Sequence, residues 1–483
     1  MKKFFKYLLY FIGFIFLLGI IAYFLWFHNP HEHSLVLDPV SVFAERSAHD
    51  GYLITNANIV DVETGSIIEK QHLLIVDDRI DYISGGELPD SLIQLYTLID
   101  VNDQYILPGL FDMHVHINSG GILPPDESIR KSALEQFLRY GVSAIFTLGE
   151  HGFNEEVSLD LRNKQRNKEI IGPDMYLTGD FLTTTGGYPL ILMAMMLGKS
   201  VEEIDLDENG LIEFTENTDL DYLFSKKKEK GVNGIKIMLE SNLGGNNPLP
   251  RLSNDLVKKA TETAAQFDLP VFVHVLRQTD LIDAVESGVN VIAHTAGDVV
   301  MENDIAIFEK MRDDSIWYTP TLSIAWMFQY TKDPVILKDP FLMENSSRRT
   351  TRSLENWPIR QLIMSEWGDE PFTYVENMYS NFQLMHRAGV PIMLGTDAGN
   401  LAVVPGYSAH LELEFMTHAG MSNIEALRSA TIVPAKFLGK EEEVGTISEG
   451  KLANFLVLKE NPLNDIRNTR SLQRVMHRGT WIE

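Results

Sequence analysis

The sequence predicts an α/β chain: a (β/α)8 barrel with a small composite β-sandwich, preceded by an N-terminal transmembrane helix. Three patterns predict it. Between residues 108 and 440, eight short apolar runs alternate with longer amphipathic stretches, and eight β-then-α units suit a closed parallel barrel better than an open doubly wound sheet. Strand-like runs punctuated by turn residues flank this stretch on both sides, in 51–107 and 441–483. Ahead of everything, residues 7–27 carry no charged side chain over 21 positions.

That first segment is expected to be a membrane anchor spanning residues 1–27. A helix of 21 residues reaches roughly 32 Å, enough for a hydrocarbon core of about 30 Å. Lys2, Lys3 and Lys6 precede it, so the positive-inside rule keeps the N-terminus in the cytoplasm and leaves the remaining chain extracytoplasmic, periplasmic or extracellular. A cleaved signal peptide is the rival reading. The apolar run is longer than an ordinary signal core, and Trp26-Phe-His-Asn-Pro30 offers no small-x-small cleavage site. Cysteine is absent, which excludes a lipidated cysteine, a disulfide framework and thiolate metal ligation. Residues 28–50 are polar, hold Pro30 and Pro39, and read as a linker.

Residues 51–107 form the first part of the predicted sandwich. Gly51-Tyr-Leu-Ile-Thr-Asn-Ala-Asn-Ile-Val-Asp61, His72-Leu-Leu-Ile-Val76 and Arg79-Ile-Asp-Tyr-Ile83 are short strand patterns, with Asp77-Asp78 as a turn. The barrel, 108–440, takes its strands from the apolar runs at 110–117, 142–148, 175–178, 235–239, 271–275, 291–294, 316–322 and 390–394. Residues 328–373 are a long helix-prone insertion before the last strand. Its neighbourhood holds Trp326, Trp357 and Trp367, read as core rather than ligand-stacking residues. Residues 441–483 return to strand patterns and are expected to rejoin the first part of the sandwich.

Composition bounds the function. The formal net charge of −26 repels phosphate backbones, so nucleic acid is excluded as a partner, and it gives no help in binding anionic lipid. A small-molecule substrate and a membrane contact through the N-terminal helix are the expected partners, and an oligomer is compatible with the composition.

The chemistry lies in polar residues that end apolar runs. In a strand, residues i and i+2 share a face, so His114 and His116 in Phe111-Asp-Met-His-Val-His-Ile117 project together. Such a pair is weak evidence alone, because a chain with 14 histidines also holds His31-Glu-His33. Context strengthens it: His274 ends Pro270-Val-Phe-Val-His274, His294 ends Val291-Ile-Ala-His294, and Asp397 follows Val390-Pro-Ile-Met-Leu-Gly-Thr396. In a parallel barrel these carboxyl ends form one rim, where catalytic groups gather. A buried histidine or aspartate needs a partner, and a metal ion supplies one. Lys236, within Gly234-Ile-Lys-Ile-Met-Leu-Glu240, sits among apolar neighbours. Its pKa should fall there, and a neutral amine can add carbon dioxide to give a carbamate with two oxygens, able to bridge two cations. The alternative is an inward lysine paired with Asp or Glu.

With these residues in place, the sequence resembles the amidohydrolase superfamily, in its Xaa-Pro dipeptidase (prolidase) and imidazolonepropionase-like branch. The His-x-His after Leu-Pro-Gly-Leu-Phe-Asp-Met, the strand-four lysine, the two later histidines and Gly-Thr-Asp carry the likeness, with Glu425-Ala-Leu-Arg-Ser-Ala-Thr431 and Gly445-Thr-Ile-Ser-Glu-Gly-Lys-Leu-Ala-Asn-Phe455. The resemblance implies that His114, His116 and Asp397 hold one divalent metal, that His274 and His294 hold a second, and that carboxylated Lys236 bridges them. Zinc is usual in the family, and N/O ligation also admits manganese, iron or cobalt. It further implies attack of a metal-bridging hydroxide on a carbonyl, with Asp397 as general base and then acid.

The expected function is therefore hydrolysis of a C–N bond in an amide, peptide or lactam, a dipeptidase among them. Related deaminases place a glutamate shortly after the strand-five histidine; here that stretch is His274-Val-Leu-Arg277, which favours hydrolysis over deamination. Many relatives carry Gly-Gly-His after strand three where this chain has Gly186-Gly-Tyr188, so Tyr188 is a candidate substrate contact or else a turn tyrosine. Arg277 is a candidate partner for a substrate carboxylate or else a surface arginine. Leu190-Ile-Leu-Met-Ala-Met-Met-Leu197 reads as an adaptable apolar wall, a buried helix or a membrane-facing segment. A lactone, ester or organophosphate hydrolase on the same two-metal centre is the alternative, and a non-catalytic surface binding protein the remote one.

Overall fold

The computed structural model describes residues 51–118, 126–150, 152–242, 248–327, 335–347, 350–351, 354–355 and 370–482. They form a mixed α/β fold with a parallel sheet core and a separate, mostly antiparallel sheet.

The separate sheet has eight strands and draws on both ends of the described chain. Its order is Thr480–Ile482, Leu472–His477, Phe455–Leu458, Tyr105–Pro108, Tyr52–Asp61, Ser66–Val76 and Arg79–Ser84, with Thr97–Asp100 also on Tyr52–Asp61. Tyr52–Asp61 has ten residues, long enough to take Thr97–Asp100 along its first half and Tyr105–Pro108 along its second, while Ser66–Val76 covers the other edge. The register shifts between Ile54 and Ala57, where Asn56 adopts a positive φ of 55°. The two chain ends join where Phe455–Leu458 runs antiparallel to Tyr105–Pro108, Phe455 opposite Pro108. Ile54, Ile59, Leu73, Ile75, Ile106, Phe455, Val457 and Trp481 pack into one apolar cluster, which is why strands from opposite ends of the sequence stay together.

The parallel core runs through Leu110–Val115, Val142–Thr147, Asp174–Leu177 with Phe181–Thr183, Ile235–Met238, Val271–His274, Val291–Ala293 and Trp317–Thr319. Its hydrogen bonds continue past the last of these: Met393 N–H donates to Tyr318 O at 2.9 Å, and Met113 N–H donates to Leu394 O at 2.8 Å. Residues 391–394 therefore link the last strand back to the first. On the other side, Asn233 N–H donates to Leu177 O at 2.7 Å, and Ile237 pairs with Leu182. This ring of parallel pairing is consistent with a TIM-barrel-like fold. Strands covered on both faces read as unbroken apolar runs; Ile235–Met238 is buried throughout, and Lys236 is the exception within it.

Amphipathic helices cover the ring. Asn254–Ala265 buries Val257, Ala260, Thr261 and Ala264, spaced by three and four residues, and begins where Ser253 accepts the Leu256 N–H. Glu155–Arg166 and Leu220–Glu229 are tied by a buried ion pair: Lys227 Nζ lies 2.6 Å from Glu155 Oε2, with side chains only 2% and 6% exposed. Lys230 reaches the other oxygen of Glu155 at 2.7 Å. Burial pushes the Glu155 carboxyl up, but the two lysines outweigh it and hold it below its usual value.

The expected transmembrane helix requires a correction. No helix among the described residues is long and apolar enough to cross a membrane. Leu190–Leu197 is uniformly apolar but has eight residues, about 12 Å of helix against the roughly 30 Å of a bilayer core. Glu370–Ala388 has the length, at 19 residues, but carries Glu370, Glu376 and Arg387. The expected anchor, residues 1–27, and the linker 28–50 lie outside the described residues. No described helix therefore supports the membrane anchor, the membrane as a partner or the extracytoplasmic placement. Leu190–Leu197 instead packs Leu190 and Ala194 against Phe181, Ile204, Leu211 and Met238. Trp357, Trp367 and most of the expected insertion also fall outside the described residues.

Replacing Glu155 by Ala strands Lys227 as a buried cation. Such a loss costs about 3–5 kcal/mol, so the urea midpoint of Glu155→Ala should fall well below that of the parent protein. A shift no larger than that of an exposed substitution such as Glu229→Ala would show that the pair does not hold the two helices.

Candidate metal centre

The centre begins on the first barrel strand. His114 and His116 project from its carboxyl end, and both are buried. Gly149 O lies 2.6 Å from His116 Nδ1. A carbonyl can only accept, so Nδ1 carries the proton and Nε2 is left as a donor for a metal. His116 Nε2 lies 2.9 Å from Asp397 Oδ1, and His114 Nε2 lies 3.3 Å from the same oxygen. The ligand atoms of His114, His116 and Asp397 all fall within 4.8 Å of one another. This is a ready set of two imidazoles and one carboxylate, which suits a divalent transition metal.

Two positions before His114, on the same face, Asp112 fixes the eighth-strand end. It accepts the Thr396 N–H at 3.0 Å and the Thr396 hydroxyl at 2.6 Å. Asp397 N–H then donates to His114 O, and His116 N–H to Ala398 O, both at 2.7 Å. Gly399 must be glycine: its φ is +100°, and a Cβ there would meet His116 O at 2.3 Å. Asp397 itself sits at φ 63° and His294 at φ 72°. Left-handed backbone at non-glycine residues costs about 1–3 kcal/mol each, and here it aims both side chains into the ring.

The later strands bring the remaining candidates alongside. The His114 and His294 rings lie 4.5 Å apart, as do those of His274 and His294. His294 Nδ1 is held by the Thr321 hydroxyl at 2.9 Å and stands 3.9 Å from Asp397 Oδ2. Lys236 is buried, and its Nζ has no hydrogen-bond partner among the described residues; the same is true of His114 Nδ1 and His274 Nε2. Burial pushes the Lys236 amine down to about 7, with Asp397 opposing. Burial, reinforced by Lys236, pushes His274 down to about 3. Burial and neighbouring cationic groups also lower His114 and His294. His116 differs: burial pulls it down, but Asp397 outweighs that and raises it. Neutral imidazoles and unpartnered buried donors around one carboxylate are what a cation needs, so the residues present fit a metal.

Tyr188 is half-buried and stacks on the His274 ring, with centroids 4.7 Å apart and planes 22° apart. Arg277 is engaged by its neighbours: its Nε donates to Asn242 O at 2.9 Å, 3.4 Å from Glu240 Oε1, and its guanidinium stands 3.8 Å from Asp298. Three carboxylates go beyond the residues singled out from sequence. Asp112 is one. Glu150 accepts the Ile117 N–H at 2.7 Å. Glu240 has side-chain exposure of 0% and lies 3.6 Å from His274 Nε2. Burial raises Asp112, Glu150 and Glu240 each to about 7. The signal for them was present: Glu150 and Glu240 follow apolar runs as His274 and His294 do, and period two puts Asp112 with His114, and Glu240 with Lys236.

The amidohydrolase family model matches residues 105–482. An ochratoxinase of Aspergillus niger is 23% identical, covering 93% of this chain and 89% of its own length. Among solved structures, a Xaa-Pro dipeptidase with bound methionine in its active site superposes with a TM-score of 0.68 at 22% identity, covering 89% of this chain and 99% of that one. A putative prolidase from Bifidobacterium longum gives 0.64 at 24% identity, covering 89% and 94%. At these identities the solved structures speak for the fold. The family match spans every ligand candidate from His114 to Asp397, and on it the chain belongs to the amidohydrolase family, as a metal-dependent hydrolase acting on C–N or similar bonds.

Proposed function

We propose that the protein hydrolyses an amide, peptide or lactam bond of a small molecule at a two-metal centre, with dipeptides as the leading substrate class. The observation that carries the two-metal reading is Lys236, a buried amine without a hydrogen-bond partner among the described residues, pushed down to about 7. A neutral amine adds carbon dioxide and releases a proton, leaving an anionic carbamate between the histidines of both sites. On this reading His114, His116 and Asp397 would hold the first cation, His274 and His294 would hold the second, and carboxylated Lys236 would serve both. Zinc fits this N/O set. Residues 108–440 would carry the centre, with 51–107 and 441–483 as the companion sheet. Relatives named as a Xaa-Pro dipeptidase and a putative prolidase support peptides as substrates.

The cations, when bound, lower the pKa of water and polarise the scissile carbonyl. The chain's own residues do the rest. Asp397 accepts a proton from the attacking water as its oxygen bonds to the carbonyl carbon. When the C–N bond breaks, Asp397 returns that proton to the leaving nitrogen, so one water is consumed and an acid and an amine result. Asp112 and Gly399 hold Asp397 on line through its backbone, and the Gly149 carbonyl keeps His116 in one tautomer. Tyr188, stacked on His274, forms a wall against which the substrate can lie.

Elemental analysis of protein loaded with zinc and bicarbonate should find about two cations per chain, as expected of a two-metal centre. Lys236→Met should drop this towards one and lower kcat about 100-fold or more. One cation in the parent protein, unchanged by bicarbonate, removes the bridging carbamate. Chelation should also lower the thermal midpoint, because the cations bind only the folded state.

Asp397→Asn should reduce kcat/KM on the best dipeptide by roughly 10²–10⁴-fold while the far-ultraviolet circular dichroism stays unchanged. A panel of dipeptides, N-acyl amino acids and lactones decides the substrate class: turnover of lactones alone overturns the C–N reading.

A further inference from the structure

The rim beside the second histidine pair holds a buried carboxylate, one oxygen of which has no hydrogen-bond partner among the described residues. Glu240 follows Ile235–Met238 and shares the face of Lys236. Its two oxygens have different surroundings. Oε1 accepts the Asn242 N–H at 3.3 Å and faces Arg277 Nε at 3.4 Å. Oε2 is buried and has no hydrogen-bond partner among the described residues; it points towards His274 Nε2, 3.6 Å away. A buried carboxylate oxygen without a donor is costly, so the site is complete only when something positive or hydrogen-bonding stands against it.

Arg277 does not fill that role. Its Nε is spent on Asn242 O, and its charge is shared between Glu240 and Asp298. One guanidinium here serves two carboxylates. A substrate carboxylate brought here would face Glu240 and Asp298, and like charges at close range are strongly disfavoured where water is scarce. Arg277, expected from sequence as a candidate partner for a substrate carboxylate, is thus already engaged by Glu240 and Asp298.

We infer that Glu240 is a specificity-determining residue that receives the ammonium group of the substrate, so that the preferred substrates are aminoacyl compounds with a free amine. This rests on the C–N hydrolase reading and narrows it: free dipeptides or amino-acid amides are favoured over N-acyl amino acids. An alkylammonium has three N–H donors; one meets Glu240 Oε2, and charge-assisted bonds of this kind are stronger than neutral ones. Tyr188, stacked on His274, walls the same corner.

The test uses an uncleavable phosphinic dipeptide analogue in three forms: free amine, N-acetyl, and the analogue with hydrogen in place of the amine. Binding is measured by calorimetry on the metal-loaded protein and on Glu240→Gln and Glu240→Asp. In the parent protein the free amine should bind at least about tenfold tighter than either other form, the scale of one charge-assisted contact. Glu240→Gln should bring that ratio towards one with metal content unchanged, and Glu240→Asp should keep part of it. The parent-protein comparison stands even when a variant fails to fold. Equal binding of the three forms overturns the inference, and so does loss of metal from Glu240→Gln, which makes Glu240 a metal ligand. Because the analogue is not turned over, a dipeptide panel without activity would sink the C–N reading while leaving an amine-selective site intact.

Discussion

The structure turns on the burial of one carboxylate among basic side chains. Asp397 stands against His116 and His114 at 2.9 and 3.3 Å and near His294 at 3.9 Å, with Lys236 and His274 in the same buried pocket. These groups cannot satisfy one another: three of them keep donor or acceptor nitrogens without partners among the described residues. Removing so many polar atoms from water without hydrogen bonds is expensive, and burial answers by driving His114, His274, His294 and Lys236 towards their neutral forms. Neutral nitrogen donors beside an anionic oxygen are the electronic state in which metal ligands bind.

The surrounding fold keeps those groups in place at a local energetic cost. Asp397 and His294 hold left-handed backbone, which is uncommon outside glycine. The restraint comes from a layer of polar residues beneath the rim. Asp112 clamps Thr396 through two hydrogen bonds. Glu412 accepts the backbone N–H groups of Leu322 and Ser323 at 2.8 and 2.6 Å, and the Ser323 hydroxyl donates to Thr396 O at 2.9 Å. Burial raises Glu412 to about 8. These bonds join separate segments, among them the helix Tyr407–His418 that carries Glu412, so the ligand geometry is a property of the closed ring and its covering helix rather than of any single strand.

The rim is also polarised by arrangement more than by composition. Arg277 has neighbours from two places in the chain, Glu240 and Asn242 after the fourth strand and Asp298 after the sixth. A guanidinium so engaged acts as an internal counter-charge, and the oxygen beside it without a hydrogen-bond partner among the described residues lies 3.6 Å from His274 Nε2. A single side chain can therefore exchange a recognition role for a supporting one when its neighbours change.

The sequence by itself determined the local, periodic features. Apolar runs of strand length, several of them ending in His, Asp or Glu, and the period-two pairing of His114 with His116 are properties of adjacent residues, so the parallel core and the ligand candidates were legible without coordinates. What lies far apart in the chain was not. Only the tertiary structure decided that Phe455–Leu458 pairs with Tyr105–Pro108, that Asp112 clamps Thr396, and that Arg277 is held by Glu240 and Asp298. It also supplied no membrane-crossing helix among the described residues. Partner choice at long sequence separation depends on which faces the closed ring brings together, and the one-dimensional pattern of burial does not encode that.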